Sequence, residues 1–146
     1  MTPEQNYNNH TRYYTPHHFI FYPVLLVLCL VALYGLFNCP GQELLWAMVL
    51  VLLVLLGCLS FMLRQHYALM NQNRIVRLEL RFRYYVLTQQ RLEALEKQLS
   101  PGQLYALRFA ADAELPALVE RAVKESLPPD AIKRSIKNWL PDDMRV

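Results

Sequence analysis

Two long stretches without a single charged side chain dominate this sequence of 146 residues. They cover residues 19–37 and 44–63, and neither shows a polar stripe at helical spacing. At a rise of about 1.5 Å per residue, each is long enough to cross the roughly 30 Å hydrocarbon core of a bilayer. A helix that is apolar all round needs lipid or a large protein core around it, and a chain this short cannot build such a core. We therefore predict two transmembrane helices.

The six-residue linker 38–43 contains Pro40 and Gly41, so the two helices are predicted to form an antiparallel hairpin over residues 19–63. The linker carries no Lys or Arg. Arg12 precedes the first stretch, and further arginines follow the second. Basic segments beside membrane helices stay in the cytoplasm, so we expect both termini on the cytoplasmic side.

Aromatic residues mark the ends of both stretches, where rings with an apolar body and a polar tip favour the headgroup region. The predicted interfacial anchors are Tyr13, Tyr14, Tyr22, Trp46 and Tyr67. The polar leader 1–18 is expected to lie along the membrane surface. It holds His10, His17 and His18, which would be needed for a haem or metal site. Adjacent histidines point about 100° apart on a helix, and no Cys or carboxylate stands at ligand spacing, so we predict no cofactor and no metal.

Residues 64–99 contain neither Gly nor Pro and are predicted to form one continuous helix. The alternation over residues 77–84 would also suit a strand. Helix is favoured because apolar residues recur at spacings of three and four, at Leu78, Phe82, Tyr85, Leu92, Leu95 and Leu99. Such a seam can also join two copies of the chain as a coiled coil.

This predicted helix is rich in arginine, with six between residues 64 and 91 against the single Glu79. A basic cluster beside a membrane attracts anionic lipid by about 1 kcal/mol per charge, and it suits an acidic partner equally well. The predicted lipid or partner contacts are Arg64, Arg74, Arg77, Arg81 and Arg83.

The tail, residues 100–146, is predicted to hold several short helices. Ser100-Pro101-Gly102-Gln103 has the pattern of a capping box. Apolar stripes further along are expected to form the core of the tail or a docking surface, at Leu115, Leu118, Val119, Ile132, Ile136 and Trp139. The predicted fold is therefore all-α: a transmembrane hairpin, a long juxtamembrane helix and a small cytoplasmic helical tail.

Residues 112–139 partly follow the spacing of a helix-turn-helix motif, and Lys133, Arg134 and Lys137 would give its second helix a basic face. Arg121 and Glu125 occupy positions that such a motif normally buries. A solvated basic face on a packed pair of helices is favoured over the reading of DNA.

No catalytic pattern emerges, since there is no Gly-rich phosphate loop and no nucleophile beside a base. We expect a non-enzymatic scaffold or accessory subunit that presents its basic helical region to a protein partner or a second copy. The alternatives are a membrane-tethered nucleic-acid-binding protein and, less favoured, a haem-bearing subunit using His17 or His18.

The chain resembles a family of uncharacterised bacterial membrane proteins, a domain of unknown function with two transmembrane helices. The resemblance implies a multi-pass protein of the bacterial inner membrane and supplies no activity. The chain departs from the family pattern at Ser126, where Gly is expected. The resemblance rests on residues 5–14, on 106–110 with 114–118, and on 132–142 with Arg145 and Val146.

Overall fold

The computed structural model describes residues 5–11 and 13–142 of the chain. Over these residues the regular elements are all helices and there is no strand, which confirms the all-α prediction and the choice of helix for residues 77–84. Two compact units are present. The hairpin unit comprises Tyr13–Met70, and the tail unit comprises residues 5–11 together with 71–142. Arg12, Arg145 and Val146, used above, lie outside the described residues.

The hairpin unit consists of helix α1, Tyr22–Asn38, and helix α2, Glu43–Met62. A π-helical turn, Pro16–Phe21, leads into α1, and another, Leu63–Ala68, continues α2. The turn between the helices needs the left-handed backbone of Gly41, at φ +83°, which costs glycine no strain. Two continuous helical stretches, Pro16–Asn38 and Glu43–Thr88, are long and apolar enough to cross a membrane.

Small residues allow α1 and α2 to pack closely. Ala32 and Gly35 are the buried residues of α1. A Cβ added to Gly35 would overlap the indole ring of Trp46, so the absence of a side chain there makes room for that ring. Trp46, predicted as an interfacial anchor, therefore also fixes the contact between the two helices.

The tail unit begins in helix α3, Leu69–Thr88, and continues through α4, Glu93–Glu96, and α5, Pro101–Leu107. It ends with α6, Leu115–Lys124, and α7, Pro129–Ser135. The predicted capping box starts α5: the Ser100 hydroxyl accepts from Gln103 N at 3.3 Å, and Gln103 Oε1 accepts from Ser100 N at 2.6 Å.

The prediction of one helix over residues 64–99 is wrong beyond Thr88. Gln89 adopts a left-handed backbone, with φ +57°, and the chain turns there. The Thr88 hydroxyl caps the end of the helix. It donates to Tyr84 O at 2.7 Å and accepts from Gln90 N at 3.1 Å, so side-chain hydrogen bonds satisfy backbone groups where the helix stops. The turn lets Leu92 and Leu99 join the core, which a straight helix would carry away from it.

The stripe predicted to form the seam of this helix is also divided by the turn. Leu92 and Leu99 are buried, but Leu78 and Phe82 are 66% and 67% exposed. The face of α3 that enters the core lies on the other side of the helix, at Val76, Leu80 and Tyr84.

The core of the tail unit is formed mainly by α5, α6 and the residues beside them. Gln103 is buried among apolar side chains, and its amide nitrogen donates to Leu127 O at 2.7 Å, so its polar group is satisfied. The predicted core residues Leu115, Leu118, Val119, Ile132 and Ile136 are buried here, with Trp139 packed against them.

The turn between α6 and α7 places Ser126 in the left-handed region, at φ +49°. A residue with a Cβ is strained there and glycine is not, which explains why the family pattern led us to expect Gly at this position.

We predict that Ser126→Gly stabilises the protein by about 0.5–1 kcal/mol, because relief of the left-handed strain exceeds the extra backbone entropy of glycine in the unfolded chain. Thermal unfolding of the full chain in mild detergent, followed by circular dichroism, would show the higher midpoint. Ala117→Gly, at an exposed helical position, is the control and should lower the midpoint. An equal fall of the unfolding midpoint in both variants would contradict the proposed strain at Ser126.

Candidate functional site

The first residues of the described chain lie on the tail unit. Tyr7 Oη donates to Asp130 Oδ1 at 2.5 Å and accepts from Arg134 Nη2 at 3.0 Å. The Arg134 guanidinium also lies 4.7 Å from the centroid of the Tyr7 ring and pairs with Asp130 at 2.9 Å. One tyrosine thus joins the start of the chain to an ion pair on α7.

These contacts favour the ionised form of Asp130. The hydrogen bond from the Tyr7 hydroxyl, followed by the contacts with Arg134 and Lys133, lowers the pKa of this carboxyl below its ordinary value. The hydrogen bonds of Arg134 with Tyr7 and with Asp130 raise the pKa of its guanidinium. Both groups are open to solvent, so water screens the attraction, and the pair orients Tyr7 more than it stabilises the fold.

His10 fills an aromatic site next to this pair. Its ring centroid lies 5.7 Å from that of Phe109 and 5.8 Å from that of Trp139. Its Nδ1 is 2.6 Å from Tyr7 O, so we assign the ring proton to that nitrogen. Its Nε2 then accepts from Lys133 Nζ at 3.0 Å. The ring is held on both edges and on its faces, as a structural histidine is.

Gln5 ties the same segment to the end of the described chain. It is buried, and its Oε1 accepts from Asp142 N at 2.7 Å. The carboxylate of Asp142 pairs with Arg108 Nε at 3.1 Å. Nearby, Leu140 N donates to Phe109 O at 2.7 Å.

We call these contacts the leader cluster. It consists of residues 5, 7 and 10, their partners Phe109, Asp130, Lys133, Arg134, Trp139 and Asp142, and Arg108, which pairs with Asp142. All three stretches on which the family resemblance rests meet in it. The leader is predicted to lie along the membrane surface as far as residue 18, and within it residues 5–11 belong to the tail unit. Tyr7 and His10 are isolated residues in a polar segment and belong to no periodic pattern. The sequence therefore did not predict their contacts with the tail unit.

The predicted arginine contacts separate into two groups. Arg77 and Arg81 both pair with Glu96, at 3.1 and 2.6 Å. Arg83 binds Asp112 at 2.6 Å and donates to the backbone oxygens of residues 108 and 110. These three side chains hold the tail unit together. Arg74 is exposed, and no carboxylate of residues 5–11 or 13–142 pairs with it.

Arg64 lies in the hairpin unit, at a groove of about 400 Å³. The groove has apolar walls, among them Phe21, Leu59 and Leu63, while His17, His18 and Arg64 give it a polar side. His17 Nε2 is 3.0 Å from the hydroxyl of Ser60 on α2. Within the described part of the chain, no group of three or more His, Cys, Asp or Glu is placed to hold a metal ion.

The remaining predicted anchors also belong to the hairpin unit. Tyr13, Tyr14 and Tyr67 are 63%, 55% and 63% exposed, whereas Tyr22 is half-buried and packs edge-on against His17 at 4.7 Å between ring centroids. Of these four tyrosines, Tyr14 lines the groove, together with Phe21.

We predict that His10→Ala loosens the leader cluster and costs about 1–2 kcal/mol, the sum of two hydrogen bonds and the lost ring packing. In a Trp46→Phe background Trp139 is the remaining tryptophan, so its fluorescence reports the change. We expect emission at longer wavelength as water reaches the indole. His18→Ala, in the hairpin unit, is the control and should leave the emission in place. Unchanged emission in His10→Ala would mean that His10 does not cover Trp139.

Comparison with known proteins adds a family and no activity. The chain matches, over residues 1–146, a family described as of unknown function, DUF6526. No curated protein and no solved structure matches it. The resemblance to an uncharacterised family is thereby confirmed over the whole chain.

Proposed function

We propose that this chain, which belongs to the family of unknown function DUF6526, is a non-enzymatic protein of the bacterial inner membrane that presents its tail unit to a protein partner or a second copy. Anchoring is assigned to the hairpin unit and recognition to the tail unit.

Membrane insertion is supported by the surface of α1 and α2. Their large apolar side chains face outward: Leu26, Leu52 and Leu55 are 61%, 63% and 58% exposed. Water contact costs about 25 cal/mol for each Å² of apolar surface, and lipid removes that cost. Neither helix contains Asp, Lys or Arg, and the one Glu43 stands at the first turn of α2.

Placement of both ends of the hairpin on one side is supported by the leader cluster. Residues 5–11 precede the hairpin in sequence, and residues 71–142 follow it, yet they form one unit. A chain can do this across a membrane only if it crosses an even number of times. The linker without basic residues then faces outward, and the arginine-rich segment faces the cytoplasm.

We predict that a membrane-impermeant maleimide labels Cys39, in the linker, on intact spheroplasts when Cys29 and Cys58 are replaced by Ala. Lys124→Cys as the sole cysteine, on the exposed face of α6, should react only after lysis. The two variants control for each other's expression and reactivity. Labelling of Lys124→Cys on intact spheroplasts would show that the orientation is the opposite of the one proposed.

The interaction role rests on one observation, the exposed apolar face of α3. The tail unit buries its own core, yet Ile75, Leu78 and Phe82 remain 55%, 66% and 67% exposed on one side of the helix. Contiguous apolar patches on folded units mark binding surfaces. Recognition of a partner therefore accounts for a surface that the fold itself leaves uncovered.

The basic face of α7 supports the nucleic-acid alternative less well. Lys133 contacts His10, and Arg134 contacts Tyr7 and Asp130. Arg121 pairs with Glu125 at 3.4 Å. These cations are placed to hold the leader and the helix ends, so phosphate contact would have to compete with contacts inside the unit.

We predict that the full chain, purified from its native membrane in mild detergent, runs as a complex with a partner or a second copy in stoichiometric amount. Replacing Ile75, Leu78 and Phe82 together by Ser should dissociate the complex, because their apolar contact is lost. Leu87→Ser with Leu140→Ser, two less exposed apolar positions, is the matched control and should keep it. Native mass spectrometry gives the composition. A strictly monomeric wild-type chain would overturn the proposal.

A further inference from the structure

The exposed face of α3 has the spacing of a coiled-coil seam. Ile75, Leu78, Phe82 and Tyr85 follow one another at intervals of three, four and three, and are 55%, 66%, 67% and 47% exposed. In heptad notation they occupy positions a, d, a and d. Strict alternation of three and four is the pattern by which one helix packs along another, since it keeps the seam on the facing side.

The residue types at the seam favour a pair of helices over a larger bundle. A β-branched residue at a with Leu at d is the combination that selects two-stranded parallel coiled coils, and Ile75 and Leu78 provide it. Asn71, at the preceding d position, begins the seam with a polar residue.

The orientation of α3 is fixed by its other side. Val76, Leu80 and Tyr84 are 5%, 1% and 2% exposed, and Leu80 and Tyr84 belong to the core of the tail unit. The seam therefore points away from its own unit and cannot be covered by a rotation of the helix.

Charges beside the seam are complementary in a parallel pair. Arg74 occupies position g, and Glu79 occupies position e of the next heptad, five residues later. In a parallel coiled coil, g of one helix lies beside that e of the other. Both side chains are exposed, and neither forms an ion pair within residues 5–11 and 13–142. In a pair of copies, Arg74 of each copy would lie beside Glu79 of the other, which gives one ion pair on each side of the seam.

We propose that α3 of two copies of this chain pack as a parallel coiled coil through residues 71–85, with Arg74 of each copy paired to Glu79 of the other. The parallel order rests on the proposed function, because two copies inserted through the same hairpin point α3 in the same direction. Confinement to one membrane raises the effective concentration of the helices, which lets two heptads suffice.

Disulfide trapping in native membranes tests the seam. Leu78→Cys is introduced into the full chain with Cys29, Cys39 and Cys58 replaced by Ala, and a mild oxidant is added. Facing d positions of a parallel pair come within reach of a disulfide, so we expect a cross-linked dimer. Leu87→Cys, at position f and 39% exposed, is the matched control and should stay mainly monomeric. Equal trapping at both positions, or trapping at neither, would overturn the proposal.

Charge reversal tests the parallel register. Arg74→Glu or Glu79→Arg alone places like charges opposite each other, and we expect each to weaken the dimer in detergent several-fold. The double variant restores opposite charges and should restore the dimer. Weakening without restoration would overturn the pairing of Arg74 with Glu79. Both residues are exposed, and circular dichroism checks that each variant keeps its helix content.

The outcomes separate this inference from the function proposed above. If the chain co-purifies a different protein through this face and Leu78→Cys is not trapped as a dimer, the coiled-coil dimer is overturned. The interaction role proposed above is then retained. If that face contacts lipid alone, it cross-links to photoactivatable lipid and no dimer forms. That outcome overturns both the dimer and the interaction role.

Discussion

The apolar surface of α1 and α2 is the constraint on which the rest of the structure depends. Most of their large apolar side chains are exposed, and the buried residues of α1 are the small ones, Ala32 and Gly35. Close contact at Gly35 and Trp46 sets the hairpin. The ion pairs of the described chain lie in residues 71–142, and most of its polar contacts between distant residues lie in residues 5–11 and 71–142.

The leader cluster makes one unit out of the two ends of the chain. Tyr7 and Asp130 are 123 residues apart in sequence and share a hydrogen bond. Closing so long a loop costs entropy, but the cost grows only slowly with length, and the packing of the His10, Phe109 and Trp139 rings against one another helps to offset it. The antiparallel hairpin places the segment before α1 beside the segment after α2, as the contact of His17 with Ser60 shows, so both ends of the hairpin leave it on the same side.

Much of the fold follows from local patterns. The apolar stretches, the glycine turn and the Ser100 capping box each depend on neighbouring residues, so they were predictable. The helix end at Thr88 was not, because no Gly or Pro marks it and a hydroxyl together with the burial of Leu92 decides it. Of the leader cluster, Trp139 was predicted as a core residue, whereas the contacts of Tyr7 and His10 were not.

The sequence by itself determined the two uniformly apolar helices and their short linker, because a run without charge leaves a helix no side that suits water. It also contained both apolar faces of α3, but not which of them the core would take. Only the tertiary structure decided that Val76, Leu80 and Tyr84 turn inward and that Leu78 and Phe82 remain outside. That choice depends on α5, α6 and the residues around them, whose packing against α3 no local pattern encodes.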